Sequence, residues 1–525
     1  MLKNNLLKVR SSIVPVLLLL TASLNASLYF EGKNAYVVIF CLGAFLVLTT
    51  VIYLYPAAIE QYLSALSRRT VYLIGFLSLL AFMLACYQYY YFDERGDSDL
   101  ACYLSAFWNA KNGNGFLISS VEMKAYQLHS DFVYLFITSL VFNLFSSAYV
   151  LFLIQSFLVF LTVYLFHRFI STLLGSVSAM LLSLALLFYP GVMTINLFAF
   201  HPVVFIGPLL MFAVRYFFEK QFSKFTISLC LCLLVKENIF LITLMFAWLS
   251  VIEKRSRKWI GTALFVSLVY GLIIFFAYFP LVLEGQSYRY AESGNNLARM
   301  LHNAFLREGS YRHLVNLFMP VGIFPALLSR YIFLPVLIIL QNLVLNDEGH
   351  ITIWRHYSFD VGILIFVAAA LGIQKITRQY KQVLFSSRSR EVLLCLLVLL
   401  MTLINYRNWF PGLDYLKRLP ILSQQRREVC ELIPSGRSLM VYGPYLSYLF
   451  QRKDLYDFIY SYEKWREPEF LLLDLNYKPS WFPNERVMHA HREALNSRNY
   501  VLLFSQNDIY LLKKQSFDPA LTVQP

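Results

Sequence analysis

Residues 148–168 read AYVLFLIQSFLVFLTVYLFHR, an uncharged run of nineteen residues closed by His167 and Arg168. About 20 apolar residues, at 1.5 Å each, match the roughly 30 Å hydrocarbon core of a bilayer. A soluble helix of that length would carry a charged face, and this one does not. The stretch is therefore expected to cross a membrane, with the cations at its end marking the cytoplasmic side.

Working outward, the pattern recurs at 12–30, 36–57, 71–92, 173–190, 202–218, 222–236, 238–252, 259–283, 314–329, 331–345, 359–376 and 391–409. With 148–167 this predicts about thirteen transmembrane helices and an all-α polytopic membrane protein. Composition agrees: of 525 residues, 58% are apolar and 14% charged, against roughly 25% charged in soluble domains. A cytosolic enzyme, a disordered chain and a collagen-like fibre are excluded. Continuous rather than alternating apolar runs exclude an outer-membrane barrel. Lys3, Lys8 and Arg10 precede the first run like the charged start of a signal peptide. The second run, from Ala35, favours a retained membrane helix.

The formal charge of +14 comes from 45 Lys and Arg against 31 Asp and Glu. No nucleic-acid motif accompanies it, so no nucleic-acid partner is expected. The cations fit cytoplasmic loops facing anionic lipid. They gather at Arg68-Arg69, His167-Arg168, Lys220 with Lys224, Lys254 to Lys258, Arg330 and Lys375 to Arg390. Threading the spans through these points puts the N-terminus in the cytoplasm. It leaves the apolar segment 131–145 in the outer interface. The alternative is that 131–145 crosses and 222–252 is one continuous span. The extracytoplasmic side then receives loops 93–130 and 284–313 and everything after about Pro411.

The C-terminal part, 411–515, turns polar and is expected to be a small extracytoplasmic α/β domain. Helical pattern covers about Leu422–Leu432 and Asn484–Ser497. Strand-like runs are Ser438–Tyr442, Glu469–Leu475, Tyr500–Phe504 and Asp508–Lys513, with a frayed tail at 516–525. The seven cysteines make no framework. Cys102 and Cys430 are placed in loops, where a disulfide between them stays open.

Chemistry concentrates after the third span, in Asp93-Glu94-Arg95-Gly96-Asp97-Ser98-Asp99. An ordinary solvated loop would account for it, yet acids cluster here where topology does not call for them. A carboxylate at the mouth of a membrane cavity suits general-base work. Asp97 and Asp99 together could instead hold a divalent cation, the one cofactor left open. An apolar stretch follows, then Trp108-Asn109 and Gly113 and Gly115, the pattern of a short interfacial helix ended by a turn. Further along, Lys236-Glu237-Asn238 divides two apolar half-runs. Ionisable groups there are costly unless they pair or line a cavity. No Walker A, dinucleotide or H-E-x-x-H motif occurs.

Asp99-Leu100-Ala101-Cys102-Tyr103-Leu104-Ser105-Ala106-Phe107-Trp108-Asn109 resembles the D-L-G-x-F-x-Q-x-x-W-N signature of a bacterial family of predicted multipass membrane proteins of unknown function. That family is similar to the GT-C glycosyltransferases. His129, Phe200-His201-Pro202, Lys236-Glu237-Asn238 and His356-Tyr357 match its later motifs in order. Ala101, Ser105 and Asn238 depart from them. The matches cover about 71–410 and leave 1–70 as two added helices.

The resemblance implies transfer of a sugar from a polyprenyl-phosphate-linked donor to a glycan, lipid or protein acceptor outside the cytoplasm. In a bacterium this places the chain in the inner membrane. Asp99 becomes the expected base, with Asp97 its alternative. Arg95, Lys236, Glu237 and Arg355 would hold or position phosphate. His129, His201 and His356 would bind substrate in a cavity shaped by Trp108 and Asn109. A transporter or flippase for a lipid-linked sugar, and a membrane scaffold, are the competing readings.

Overall fold

A computed structural model describes residues 64–92, 98–121, 124–125, 131–197, 199–282, 297–322, 326–345, 349–353, 355–379, 387–407, 413–441, 443–458, 467–476, 492–493, 495 and 499–515. The expected spans 12–30 and 36–57, the residues Arg95, Asp97 and His129, most of the expected helix 484–497 and the tail lie outside them. The chain is mostly helical, with a small sheet near its C-terminus.

Four described helices are long and apolar enough to cross a membrane: Thr70–Tyr90, Ala148–Ile170, Arg257–Leu281 and His356–Gln379. The pair Ser176–Phe188 and Pro190–Leu197, bent by 53°, makes a fifth if counted as one span. Other apolar helices, such as Phe222–Leu233 and Arg330–Val344, have only 10–17 residues. The count of about thirteen crossings is thus not confirmed. The shortening has local causes. Lys220 and Lys254 adopt φ of 61° and 52°, the left-handed conformation that ends helices. Lys236 is extended, at φ −161° and ψ 149°. Segment 131–145 forms the helix Phe132–Phe145; its 14 residues reach about 21 Å, short of a full crossing.

The chain divides into two compact units. One comprises 1–81, 155–196 and 202–410. Within it, Phe359–Gln379 is buried without a break from Phe359 through Ala370. Small residues let neighbours approach closely, as expected where lipid offers no competing hydrophobic drive. A side chain at Gly362 would overlap the Tyr189 ring. At Gly191 a Cβ would stand 2.7 Å from the Ser358 carbonyl oxygen. Cross-helix polar contacts add to this: Ser267 Oγ donates to Thr243 Oγ1 at 2.8 Å, and Ser156 Oγ to Asn196 Oδ1 at 2.7 Å.

The second unit comprises 82–154, 197–201 and 411–525. It holds the helix Ser98–Lys111, a two-residue ladder of β1 (Ile118–Ser119) and β2 (Lys124–Ala125), and the C-terminal sheet. The sheet strands are β3 (Leu439–Val441), β4 (Leu455–Asp457), β5 (Phe470–Asp474), β6 (Tyr500–Gln506) and β7 (Ile509–Lys514), in the order β4-β3-β5-β7-β6. β3 runs parallel to β4 and β5, while β7 is antiparallel to β5 and β6. All five residues of β5 are buried, which is why it reads as a continuous apolar run. Asn507 and Asp508, at φ 47° and 61°, close the β6–β7 hairpin. The helix before the sheet, Leu413–Glu431, begins earlier than its apolar pattern. Cys102 and Cys430 are corrected: both are buried on helices and neither is in a disulfide.

Arg426 and Arg427 tie this helix to the end of Thr70–Tyr90. Arg426 Nε meets Asp474 Oδ2 at 3.0 Å, and its Nη1 donates to the Phe92 carbonyl at 3.0 Å. Tyr445 Oη donates to the same Asp474 oxygen at 2.8 Å. Arg427 donates to the Tyr90 carbonyl at 2.6 Å and stacks on the Tyr90 ring. Ser120 Oγ donates to the Lys453 carbonyl at 2.8 Å and accepts from the Leu455 N–H at 2.9 Å, joining the β1–β2 region to β4.

Gly191→Ala tests the close approach of two backbones. It is expected to destabilise the purified protein by about 1–3 kcal/mol, as overpacking does. Gly261, with open space around its Cα, is the control. Gly261→Ala should leave the melting temperature unchanged or slightly raised. Equal melting of both variants would remove the steric argument.

Candidate active site

In the second unit, Asp99 sits in the first turn of Ser98–Lys111, where the helix dipole favours a carboxylate. His201 lies in the short segment after Pro190–Leu197. Its Nε2 is 3.1 Å from Asp99 Oδ2, and its Nδ1 is 2.8 Å from the Ala199 carbonyl oxygen. The histidine side chain is 6% exposed and the aspartate side chain 37%. A carbonyl only accepts, so Nδ1 carries a hydrogen. The contact to Asp99 then closes as a hydrogen bond with one further proton between Nε2 and Oδ2. The Tyr103 ring packs edge-on against His201 and Phe200. The result is a buried imidazole fixed on both sides and a carboxylate that still reaches solvent.

Asn109 is buried, and its side chain donates to the Ile118 carbonyl at 2.9 Å. Asn114 donates back to Asn109 Oδ1 at 3.3 Å. Asn109 therefore joins the end of the Asp99 helix to β1. Trp108, beside it, is half-buried. Gly113 and Gly115, at φ 71° and 126°, supply the turn between them.

In the first unit, Lys236 and Glu237 occupy the break between Phe222–Leu233 and Phe240–Ile252, with Glu237 buried. Lys236 Nζ stands 4.8 Å from the centroid of the Tyr357 ring, within cation–π range. Tyr357 stacks on His350 at 3.7 Å and leans on His356 at 4.0 Å. Asp360, buried at the start of Phe359–Gln379, is close enough to Lys236 to interact with it electrostatically. Arg355 is exposed; its carbonyl accepts from the Ser358 N–H at 3.2 Å and closes the turn carrying His356. The ring cluster is thus a preformed cationic and aromatic surface. Sequence reasoning singled out Lys236, Glu237 and His356 here but missed His350 and Asp360, and it gave Tyr357 no role. An acid inside an apolar span was the available signal for Asp360.

His313, buried on the helix Glu308–Phe318, lies within electrostatic reach of His350. Among the described residues, no group of three or more His, Cys, Asp or Glu side chains could hold a metal ion. Arg95, Asp97 and His129 lie outside the described residues and so outside both arrangements.

Residues 94–511 match the family described as Predicted membrane protein (DUF2079). Among curated proteins none matches. Among solved structures, ArnT from Cupriavidus metallidurans bound to undecaprenyl phosphate is similar at TM-score 0.50 and 11% identity. The match covers 84% of this chain and 97% of that one. The apo form of the same protein gives 0.49 at the same identity and coverage. At this identity the likeness is one of fold alone.

Burial pushes the His313 imidazole down to about 4, from an ordinary value near 6.5. The folded protein therefore binds this proton less readily than the unfolded chain. The stability it contributes is complete above about pH 6.5 and is lost as pH falls toward 4, by up to about 3 kcal/mol. In melting curves between pH 7.5 and 4.5, His313→Gln should flatten that loss. An unchanged acid slope would sink the assignment.

Proposed function

The chain belongs to the DUF2079 family of predicted membrane proteins, and from that premise we propose that it is a GT-C-like glycosyltransferase using a polyprenyl-phosphate-linked sugar. The observation that carries the reading is the Asp99–His201 pair, a half-exposed carboxylate backed by a buried, doubly bonded imidazole. ArnT, of similar fold, was crystallised with undecaprenyl phosphate, which supports a carrier of that class here.

In the proposed reaction an acceptor hydroxyl attacks the anomeric carbon of the sugar. A new C–O bond forms as the bond from that carbon to phosphate oxygen breaks. The electron pair leaves with the polyprenyl phosphate. The hydroxyl proton passes to Asp99, whose orientation is held by His201. A carboxylate paired to a histidine suits this step, because the imidazole fixes its orientation. Asp97 is the alternative base, and a divalent cation shared with Asp99 is compatible with the scheme.

Lys236 is assigned to the carrier phosphate. An ammonium acts there as a point charge and needs no fork geometry. Tyr357, with His350 and His356 against its ring, holds the cation in place before the charge on the leaving group develops. Preplaced charge of this kind lowers the barrier without reorganisation during the reaction. Glu237 positions the lysine, and Arg355, Arg95 and His129 are further contacts to donor or acceptor. Trp108 flanks the acceptor approach, while Asn109 supports the helix that carries Asp99. The acceptor is an envelope glycan, lipid or protein on the extracytoplasmic side of the bacterial inner membrane.

Three strains distinguish the reading from transport: a deletion, a wild-type complement and an Asp99→Asn complement at equal protein level. Mass spectrometry of envelope glycans and lipid-linked sugars is the readout. Deletion and Asp99→Asn should both lose one sugar while its lipid-linked donor accumulates. Turnover should fall about 10²–10⁴-fold if the base dominates. Full restoration by Asp99→Asn would remove the base and put a flippase or transporter first.

A further inference from the structure

A second group of cations lies at the other end of the helix Phe240–Ile252 from Lys236. That helix has 13 residues, so about 20 Å of helix separates its two ends. Lys220, Arg255, Arg330 and Lys375 line one cavity of about 460 Å³ together with Glu253 and Tyr331. Three helix ends and the turn at Ser329–Arg330 supply these residues, and all belong to the same unit.

The ordinary reading is that such cations mark the cytoplasmic face and cap helix C-termini. Part of this holds. Arg255 Nη2 donates to the Phe217 carbonyl at 2.9 Å, and Arg330 Nη1 is 3.4 Å from the Ile252 carbonyl oxygen. Lys375 Nζ is 3.4 Å from that of Leu328. Capping does not explain why four cations share one concave space with one carboxylate. The Glu253–Arg330 pair is loose, at 3.7 Å. The Nε–H of Arg255 is buried and has no hydrogen-bond partner.

The floor is rigid. The Arg255 guanidinium stacks over Phe217 at 4.8 Å and Trp259 at 5.4 Å. Phe217 in turn packs against Phe225, Phe246 and Tyr331. A guanidinium held over an aromatic base, with the ammonium groups of Lys220 and Lys375 lining the same space, suits a phosphate anion. The volume falls within the roughly 300–1,000 Å³ usual for ligand pockets.

We propose that this cavity binds a phosphate group at the end of Phe240–Ile252 opposite to the Lys236 cluster, carried by an anionic phospholipid headgroup or by a free phosphate compound. Basic pockets between membrane helices on the cytoplasmic side are suited to lipid headgroups. The sequence places these cations on that side. The site does not depend on the proposed transfer activity, and its test reads binding alone.

The full chain, purified in detergent, would be titrated with phosphatidylglycerol and with phosphatidylcholine, and separately with inorganic phosphate and pyrophosphate. Native mass spectrometry follows the lipids and calorimetry the soluble anions. Lys220→Gln with Lys375→Gln is the pocket variant. Lys254→Gln with Lys258→Gln is the control outside the cavity. Phosphatidylglycerol should bind the pocket variant about 25-fold more weakly than wild type, about fivefold for each cation. The control and phosphatidylcholine should change little. If the soluble phosphates alone show this dependence, the anion site stands and its ligand is free rather than lipid-borne. Glu253→Gln reads the opposite direction and should tighten binding severalfold by releasing Arg330. Equal affinity of wild type, pocket variant and Glu253→Gln for every anion overturns the proposal.

Discussion

One buried guanidinium organises the unit that carries Asp99. Arg426 and Asp474 are 4% and 1% exposed, so neither can rely on water. Each charge is tolerable because the other is 3.0 Å away and further hydrogen bonds serve both. The Phe92 carbonyl accepts from Arg426, and the Tyr445 hydroxyl and the Asn476 N–H donate to Asp474. The consequence is mechanical. The end of Thr70–Tyr90, the helix Leu413–Glu431 and the strand β5 meet in one hydrogen-bonded knot. Asp99 follows that knot by only a few residues, so the C-terminal sheet fixes where the chain leading to Asp99 begins. Burial also raises the Tyr445 hydroxyl far above its ordinary value, which keeps it a donor to Asp474 at any working pH.

The membrane character of the chain is legible because a long uncharged apolar run has almost no stable setting but a bilayer. The helix starts near residues 70, 148, 257 and 356 follow from the sequence to within a few positions. The expected span 173–190 ends at the break Phe188–Pro190, but the short helix Pro190–Leu197 beyond it and their 53° bend are not legible. The shortness of the helices around 222–252 is legible, because Lys236-Glu237-Asn238 divides the run into 222–236 and 238–252, and the structure breaks it at the same place. Asp99 stands out as an acid in a place where topology does not require one. His201 stands out only through its motif, and its contact to Asp99 is a tertiary fact. The stacking of His350 on Tyr357, and of Tyr357 under Lys236, joins distant parts of the chain. No local pattern encodes it. β4 escapes notice because three residues, Leu455–Asp457, flanked by charge, carry no alternation to read. Cys102 and Cys430 fall inside stretches that read as helical, the apolar one before Trp108 and Leu422–Leu432, and the structure agrees with that reading rather than with loops.

The two cationic groups of the first unit show how the same residue types serve different physics. Lys236 is half-buried at a helix break, over one tyrosine ring whose orientation two histidines fix. Its environment is already crowded, so an anion arriving there meets a charge with few alternative positions. The Lys220 to Lys375 group opens into a cavity and shares it with a carboxylate. Arg255 is held there by the rings beneath it, and Arg330 and Lys375 lie near carbonyl oxygens at helix ends. A single fixed cation favours a charge that appears briefly and at one point, as on a leaving phosphate. Several cations around one space favour an anionic group that resides there. A net charge of +14 is therefore more than an orientation signal in this chain. Where cations lie singly along helix ends, topology accounts for them. Where four converge on one cavity, mutual repulsion raises the cost of leaving it without an anion.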